Sequence, residues 1–93
     1  MTEQEIYERI INKNGWQTQL IKAQEEAAEF IQAISKYLLS GSYEDMLRVI
    51  EEGTDNEIMT NQVKLIFPYK KLWDKNKAKK LERINKCDNI WLI

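Results

Sequence analysis

The chain has 93 residues, a net charge of −1 and a single cysteine, Cys87, so one domain is expected and an internal disulfide is excluded. No apolar run reaches about 18 residues, which argues against a transmembrane helix. The acidic N-terminus lacks the apolar segment of a signal peptide, and together with the free thiol it predicts a cytoplasmic protein.

The composition predicts an all-α fold, a four-helix bundle-like single domain over residues 1–93, because Gly and Pro are few and helix-forming residues abound. The first helix is predicted over residues 3–13. Thr2 followed by Glu5 is a capping box at its start. Asn14 and Gly15 tolerate the left-handed backbone that ends a helix.

The second helix is predicted from about residue 17 to residue 39. Apolar residues recur along it at helical spacing and predict a stripe that faces the core: Leu20, Ala27, Ile31, Ile34 and Leu38. Charged residues fall on the opposite side: Lys22, Glu25, Glu26, Glu29 and Lys36. The simplest interpretation of that side is a solvated face on which Glu25 and Glu29 pair with lysines.

The third helix begins at Ser42, which with Asp45 resembles a capping box, and continues to Phe67, before Pro68. It carries two apolar stripes on roughly opposite sides. One consists of Leu47, Ile50, Ile58 and Leu65. The other consists of Val49, Met59, Val63 and Ile66. A helix that is apolar on two sides is expected to have neighbours on both.

The fourth helix is predicted over residues 69–86 and is strongly basic. Residues 1–59 carry 12 acidic and 5 basic side chains, whereas residues 60–93 carry 3 and 9. This asymmetry suits either charge pairing between helices or recognition of a metal-bound polyphosphate. Its predicted buried residues are Leu72, Trp73, Leu81 and Ile84. The short apolar tail, residues 90–93, and the small size of the chain predict a homo-oligomer.

Two acidic clusters dominate the sequence. Glu26 and Glu29 share one helix face, as do Glu52 and Asp55. Facing each other, such carboxylates would repel unless a cation lay between them, and an oxygen-only site suits Mg²⁺, Mn²⁺ or Ca²⁺. Glu52 and Asp55 lie on the same helix face as Met59 and Ile66 of the second apolar stripe, so they are expected to be covered. Three interpretations remain open: a metal site, an ion-pair network centred on Arg48, or a solvated face.

The two clusters resemble the motif pair of the MazG-like all-α nucleoside triphosphate pyrophosphohydrolases. The motifs are Glu25-Glu26-Ala27-Ala28-Glu29 and Glu52-Gly53-Thr54-Asp55. The flanking Gly15-Trp16-Gln17 with Gln19, Asn56-Glu57-Ile58-Met59 with Gln62, and Lys80-Leu81-Glu82-Arg83-Ile84 are similar to the family too. The likeness covers about residues 14–84. It is weakest at Gly53-Thr54, where family members usually carry apolar or alanine residues, and this glycine either loosens the helix or makes room for a neighbour.

The resemblance implies a helical bundle that forms homodimers or homotetramers and uses Mg²⁺, with Mn²⁺ as an alternative. The implied reaction splits a nucleoside triphosphate between the α and β phosphates into a monophosphate and pyrophosphate. The residues that match the family's metal ligands are Glu26, Glu29, Glu52 and Asp55. Glu25 and Glu26 are the candidate catalytic residues, and Glu25 is placed to position or deprotonate the attacking water.

Four further residues are candidates for substrate binding. Trp16 either stacks on a base or packs in the core, and Gln19 either reads a base edge or faces solvent. Lys80 and Arg83 either hold phosphates, in the same or a neighbouring subunit, or form a solvated basic face. The rival functions are a catalytically weak or inactive nucleotide- or protein-binding module and, as the least favoured, nucleic-acid binding through the basic helix.

Overall fold

The computed structural model describes residues 1–87, and every regular element among them is a helix, which confirms the all-α prediction. The helices are α1 (Glu3–Asn14), α2 (Trp16–Ser40), α3 (Tyr43–Ile66) and α4 (Lys70–Lys86). Each boundary lies within one residue of its predicted position. The apolar tail, residues 90–93, lies outside the described residues, so its predicted part in forming a homo-oligomer is not tested.

The predicted capping box of α1 is present. The backbone N–H of Glu5 donates to Thr2 Oγ1 at 3.1 Å, and the backbone N–H of Thr2 donates to Glu5 Oε1 at 3.0 Å. These two bonds satisfy backbone donors that the first turn of a helix leaves free. The helix ends before Gly15, whose φ of 91° is a backbone conformation that glycine adopts most readily.

The helices α2 and α3 form a hairpin and make the principal packing interface of the chain, with α1 against both. Gly41 closes α2 with a φ of 62°, and its N–H donates to the Tyr37 carbonyl. Ser42 then caps α3 by accepting a hydrogen bond from the backbone N–H of Asp45 at 3.1 Å. A two-residue connection of this kind makes the two helices antiparallel neighbours.

The face of α2 that packs on α3 coincides only in part with the predicted apolar stripe, of which Leu20 and Ala27 are half-buried. The buried residues of α2 are Gln19, Glu26 and Ala33, whereas Ile31 is 64% and Leu38 is 77% exposed. Each buried residue directly precedes a residue of the predicted stripe, so the covered face is turned towards these positions by less than the 100° of one helical residue. Small and polar side chains let α2 approach α3, which leaves the larger aliphatic side chains on the outside of the protomer.

On α3 the second apolar stripe is the covered one, as predicted. Met59 is buried, and Val49, Val63 and Ile66 are half-buried. The expected neighbour on the first stripe is not present within the described part of the protomer, because Leu47, Ile50 and Ile58 are exposed and only Leu65 is half-buried. The protomer therefore carries uncovered aliphatic side chains on both α2 and α3.

Helix α4 is the least buried of the four. The Trp73 indole N–H donates to the Phe67 carbonyl at 2.9 Å, and the Lys64 ammonium lies 5.9 Å from the Trp73 ring centroid. All four apolar residues were expected to be covered. Trp73 and Ile84 are half-buried, but the prediction is wrong for Leu72 and Leu81, which are exposed. No helix in residues 1–87 is long and apolar enough to cross a membrane.

Candidate metal centre

Three carboxylates meet at the middle of the α2–α3 interface. One oxygen from each of Glu26, Glu52 and Asp55 lies within 4.8 Å of the others. Glu26 comes from α2, whereas Glu52 and Asp55 lie three residues apart on α3 and so share one face. The structure thus brings together three of the four predicted metal ligands from both motifs.

Two of these side chains hold a buried oxygen with no partner. Glu26 is only 7% exposed; its Oε1 pairs with Lys22 Nζ at 2.9 Å, but its Oε2 has no hydrogen bond. Glu52 Oε2 is likewise buried and without a hydrogen bond. The solvated-face interpretation is therefore wrong for Glu26, and the expectation that Glu52 and Asp55 are covered is confirmed, since both are half-buried. Unsatisfied buried acceptors are unfavourable and rare, so these oxygens need an explanation.

Glu29 lies on the solvent side of the same group. The negative charge of Glu26 raises the pKa of Glu29 above its ordinary value, and desolvation and the nearby negative charge of Glu52 raise it further. Glu29 is exposed, so water screens part of this repulsion. Glu29 lines the same cavity as Glu52, but it is not one of the three residues whose carboxylate oxygens lie within 4.8 Å of one another.

Glu25, the predicted base, is not one of the three clustered carboxylates. Its side chain is 59% exposed and lies 3.7 Å from Lys22 Nζ. Lys22 also binds Glu26, and that hydrogen bond is the main cause of the raised pKa of Lys22. The predicted pairing of Glu25 with a lysine is therefore present, whereas a contact with the metal candidates is not.

The ion-pair network centred on Arg48 is not formed in the described part of the chain. No salt bridge there includes Arg48, and Glu52 Oε2 stays without a hydrogen bond. A cation bound between the helices would give both orphaned oxygens a partner. The donors are all carboxylate oxygens, which Mg²⁺, Mn²⁺ and Ca²⁺ prefer.

Gly53 lies between Glu52 and Asp55 in the sequence and close to the ring of Phe30 on α2. A Cβ built at this position would lie 3.1 Å from Cε1 of the Phe30 ring. The glycine therefore makes room for a neighbouring helix, one of the two roles that the sequence suggests for it. The adjacent Thr54 bonds its own helix, because its hydroxyl donates to the Ile50 carbonyl at 2.8 Å.

A cavity of about 230 Å³ opens beside the carboxylates. Its described lining residues all belong to α2 and α3: Glu29, Gln32, Ala33, Lys36, Arg48 and Glu52. Sequence reasoning did not assign Lys36 or Gln32 to a site. Each base shares a helix face with a carboxylate of the cavity, since Lys36 follows Glu29 by two helical turns and Arg48 precedes Glu52 by one. This spacing does not show that the two helices bring the bases together.

The predicted substrate-binding residues are not gathered at this cavity within one protomer. Trp16 is the first residue of α2 and is 52% exposed. Gln19 is buried, and its Nε2 donates to Gln62 Oε1 at 2.8 Å while its Oε1 accepts from Asn14 at 3.1 Å. Lys80 and Arg83 lie on α4, which starts beside α1 and the end of α3.

Comparisons with protein-family models, with curated proteins and with solved structures find no match for this chain.

Proposed function

We propose that this protein is a cytoplasmic, Mg²⁺-dependent nucleotide pyrophosphohydrolase of the MazG-like type. It would split a (deoxy)nucleoside triphosphate between the α and β phosphates into a monophosphate and pyrophosphate, with Mn²⁺ as an alternative cofactor. The observation that carries this proposal is the pair of buried, partnerless oxygens, Glu26 Oε2 and Glu52 Oε2. They come from separate helices, and each helix carries one of the two family-like motifs.

The proposed metal ligands are Glu26, Glu29, Glu52 and Asp55. Bound Mg²⁺ would neutralise phosphate charge and lower the pKa of a coordinated water. Phe30 packs on Gly53 next to the carboxylates, and this contact sets the distance between α2 and α3 at that point. Glu25 can take a proton from the attacking water only after it leaves its contact with Lys22.

We also propose that the protein is a homodimer or homotetramer. The supporting observation is the aliphatic surface left open on α2 and α3, where Ile31, Leu38 and Ile50 are 64%, 77% and 58% exposed. Large apolar areas left exposed on a folded protein mark interaction sites. In such an assembly Lys80 and Arg83 of α4 would reach the phosphates bound by a second subunit, and Trp16 would be free to stack on a base.

Hydrolysis of a nucleotide panel tests the proposal. Purified protein with MgCl₂ should release monophosphate and pyrophosphate from at least one dNTP, and EDTA should stop the reaction. Glu29→Gln should abolish turnover, whereas Glu51→Gln, an equal charge change at an exposed residue of α3, should keep it. If no nucleotide is cleaved with either Mg²⁺ or Mn²⁺, the proposal that the protein is an enzyme is contradicted.

The second candidate is a non-catalytic module that binds a nucleotide or a protein. The observation that favours it is the position of Glu25, which is exposed, paired with Lys22 and not one of the three clustered carboxylates. The nucleotide-binding form of this alternative requires nucleotide binding by calorimetry without product release. The same dNTP panel, read once for heat and once for pyrophosphate, separates the two candidates.

A further inference from the structure

The cavity beside the carboxylates has an unusual charge arrangement. Glu29 and Glu52 line it together with Lys36 and Arg48. Opposite charges this near one another ordinarily pair, yet none of the salt bridges within residues 1–87 includes Lys36 or Arg48. The acidic and basic side chains thus face a common space without neutralising each other.

A ligand that carries both signs of charge fits this arrangement. A cation on the carboxylate side would satisfy the partnerless Glu26 Oε2 and Glu52 Oε2. An anion bound to that cation would then lie towards Lys36 and Arg48, which offer the charge-assisted hydrogen bonds that phosphate oxygens accept most strongly. The order of charges would be carboxylate, metal, phosphate and base, so each charge has an opposite neighbour.

We propose that this cavity is a polyphosphate subsite in which Lys36 and Arg48 bind the metal-bound diphosphate end of the ligand. The inference rests on the proposed function, because it takes the carboxylates to hold the metal. The volume of about 230 Å³ equals that of roughly seven or eight waters at about 30 Å³ each. That space holds a small anion, whereas a whole nucleotide extends out of it.

The subsite also gives the ligand a direction. Lys36 follows Glu26 along α2 and Arg48 precedes Glu52 along α3, so both bases lie on the side of the Gly41 turn. A triphosphate with its terminal phosphates at this end directs its nucleoside to the other side of the carboxylates. That is the side on which α2 begins with Trp16.

Inorganic pyrophosphate is the probe that tests the subsite without requiring turnover. Calorimetry should be run on the full-length chain with MgCl₂, with and without pyrophosphate. Lys36→Gln and Arg48→Gln should each weaken binding of Mg²⁺–pyrophosphate about tenfold, the loss expected for one charge-assisted hydrogen bond. Neither should weaken binding of Mg²⁺ alone. Arg48→Lys should recover part of the loss, because it restores the charge without the planar fork.

The matched controls are Lys13→Gln and Arg9→Gln, which make the same charge changes at exposed residues of α1. Both should bind Mg²⁺–pyrophosphate as the wild type does. Equal losses in all four variants would mean that only net charge matters and would overturn the subsite. A second overturning result is wild-type binding by Lys36→Gln and Arg48→Gln with a lowered melting temperature in EDTA, which would make the two bases structural ion-pair partners.

The test is independent of hydrolysis. If no nucleotide is cleaved but pyrophosphate binding depends on Lys36 and Arg48, the subsite stands and the enzymatic proposal fails. If nucleotides are cleaved and the two variants bind pyrophosphate normally, the enzymatic proposal stands and the subsite fails. For an active enzyme the two variants should raise KM for the triphosphate, while Lys13→Gln leaves it unchanged.

Discussion

The ring of Phe30 on α2 packs directly against Gly53 on α3, and a Cβ at position 53 would lie 3.1 Å from its Cε1. Gly53 lies between Glu52 and Asp55 in the sequence, so the contact is next to the carboxylates at which the two helices meet. The glycine is therefore tied to the separation of the helices and hence to the geometry of the candidate metal centre.

Gly53→Ala should change stability little and weaken the metal site. Alanine favours a helix by about 1 kcal/mol over glycine, but the new Cβ must displace Phe30 by a few tenths of an ångström. We expect the free energy of unfolding in urea to stay within about 1 kcal/mol of wild type, with Mg²⁺ affinity several-fold lower by calorimetry.

The smaller side chain in Phe30→Leu should relieve this conflict, so Gly53→Ala in that background should stabilise by up to about 1 kcal/mol. Thr54→Ala is the control, because its hydroxyl bonds only the helix itself, and it should leave Mg²⁺ affinity intact. Equal effects of Gly53→Ala in both backgrounds would show that Phe30 does not limit position 53.

Removing the charge of Glu29 should stabilise the metal-free protein at neutral pH. Its pKa is raised above the ordinary value of 4.5, mainly by Glu26, so the folded state binds this proton more tightly than the unfolded state. Stability from this group is therefore present at low pH and is lost as the pH rises from 4.5 through the raised value.

In EDTA, the melting temperature of Glu29→Gln should exceed that of wild type at pH 7.5, and the difference should vanish near pH 4. With MgCl₂ the order should reverse, because the wild type gains more from binding. Glu51→Gln is the control and should follow wild type throughout. A wild-type melting temperature above that of Glu29→Gln in EDTA at pH 7.5 would show that the Glu29 charge is not under repulsion.

The buried amides Gln19 and Gln62 should depend on each other. They are 5% and 2% exposed, so Gln62→Leu would leave the Gln19 Nε2 donor without its acceptor at a cost of about 1–3 kcal/mol. The double variant Gln19→Leu/Gln62→Leu should lose less than the sum of the single variants in urea unfolding. Additive losses would mean that the two amides do not interact.

This pair also bears on substrate binding by Gln19. A loss of nucleotide affinity in Gln19→Leu counts as a lost substrate contact only if Gln62→Leu, which disturbs the same pair, keeps that affinity. Calorimetry with the nucleotide that the panel selects makes this comparison.

The exposed aliphatic side chains should hold the oligomer together. Light scattering at micromolar concentration should give a dimer or tetramer of the 11.1 kDa chain. Leu38→Glu should reduce it to the protomer without unfolding, because the side chain is 77% exposed within the protomer. Asn12→Glu, which adds the same charge at an exposed residue of α1, should leave the mass unchanged. A monomeric wild type contradicts the assembly.

The features that were predictable from sequence are those set by nearby residues. Helix ends agree to within one residue, because the Thr2 and Ser42 caps and the Gly15 and Gly41 stops act locally. The covering of Glu52 was predictable for a similar reason, since it lies on the same face of its own helix as an apolar stripe.

Relationships across the two helices were not predictable. The apolar pattern of α2 favours the Ile31 side, whereas the packed side carries Glu26 and Ala33, because an amphipathic pattern does not distinguish a neighbour in the same chain from one in another subunit. The shared cavity of Lys36 and Arg48 depends on how far α2 and α3 are offset along their axes, which no local signal specifies.

That offset is fixed at one end of the hairpin by the Gln19–Gln62 hydrogen bond, with 2.8 Å between donor and acceptor. Sliding α2 along α3 by one turn, about 5.4 Å, would break this bond and carry Glu26 away from Glu52 and Asp55. The amide pair thus fixes the position of α2 along α3. An arriving cation would find its carboxylates already opposed and would have to exchange water but not to move a helix.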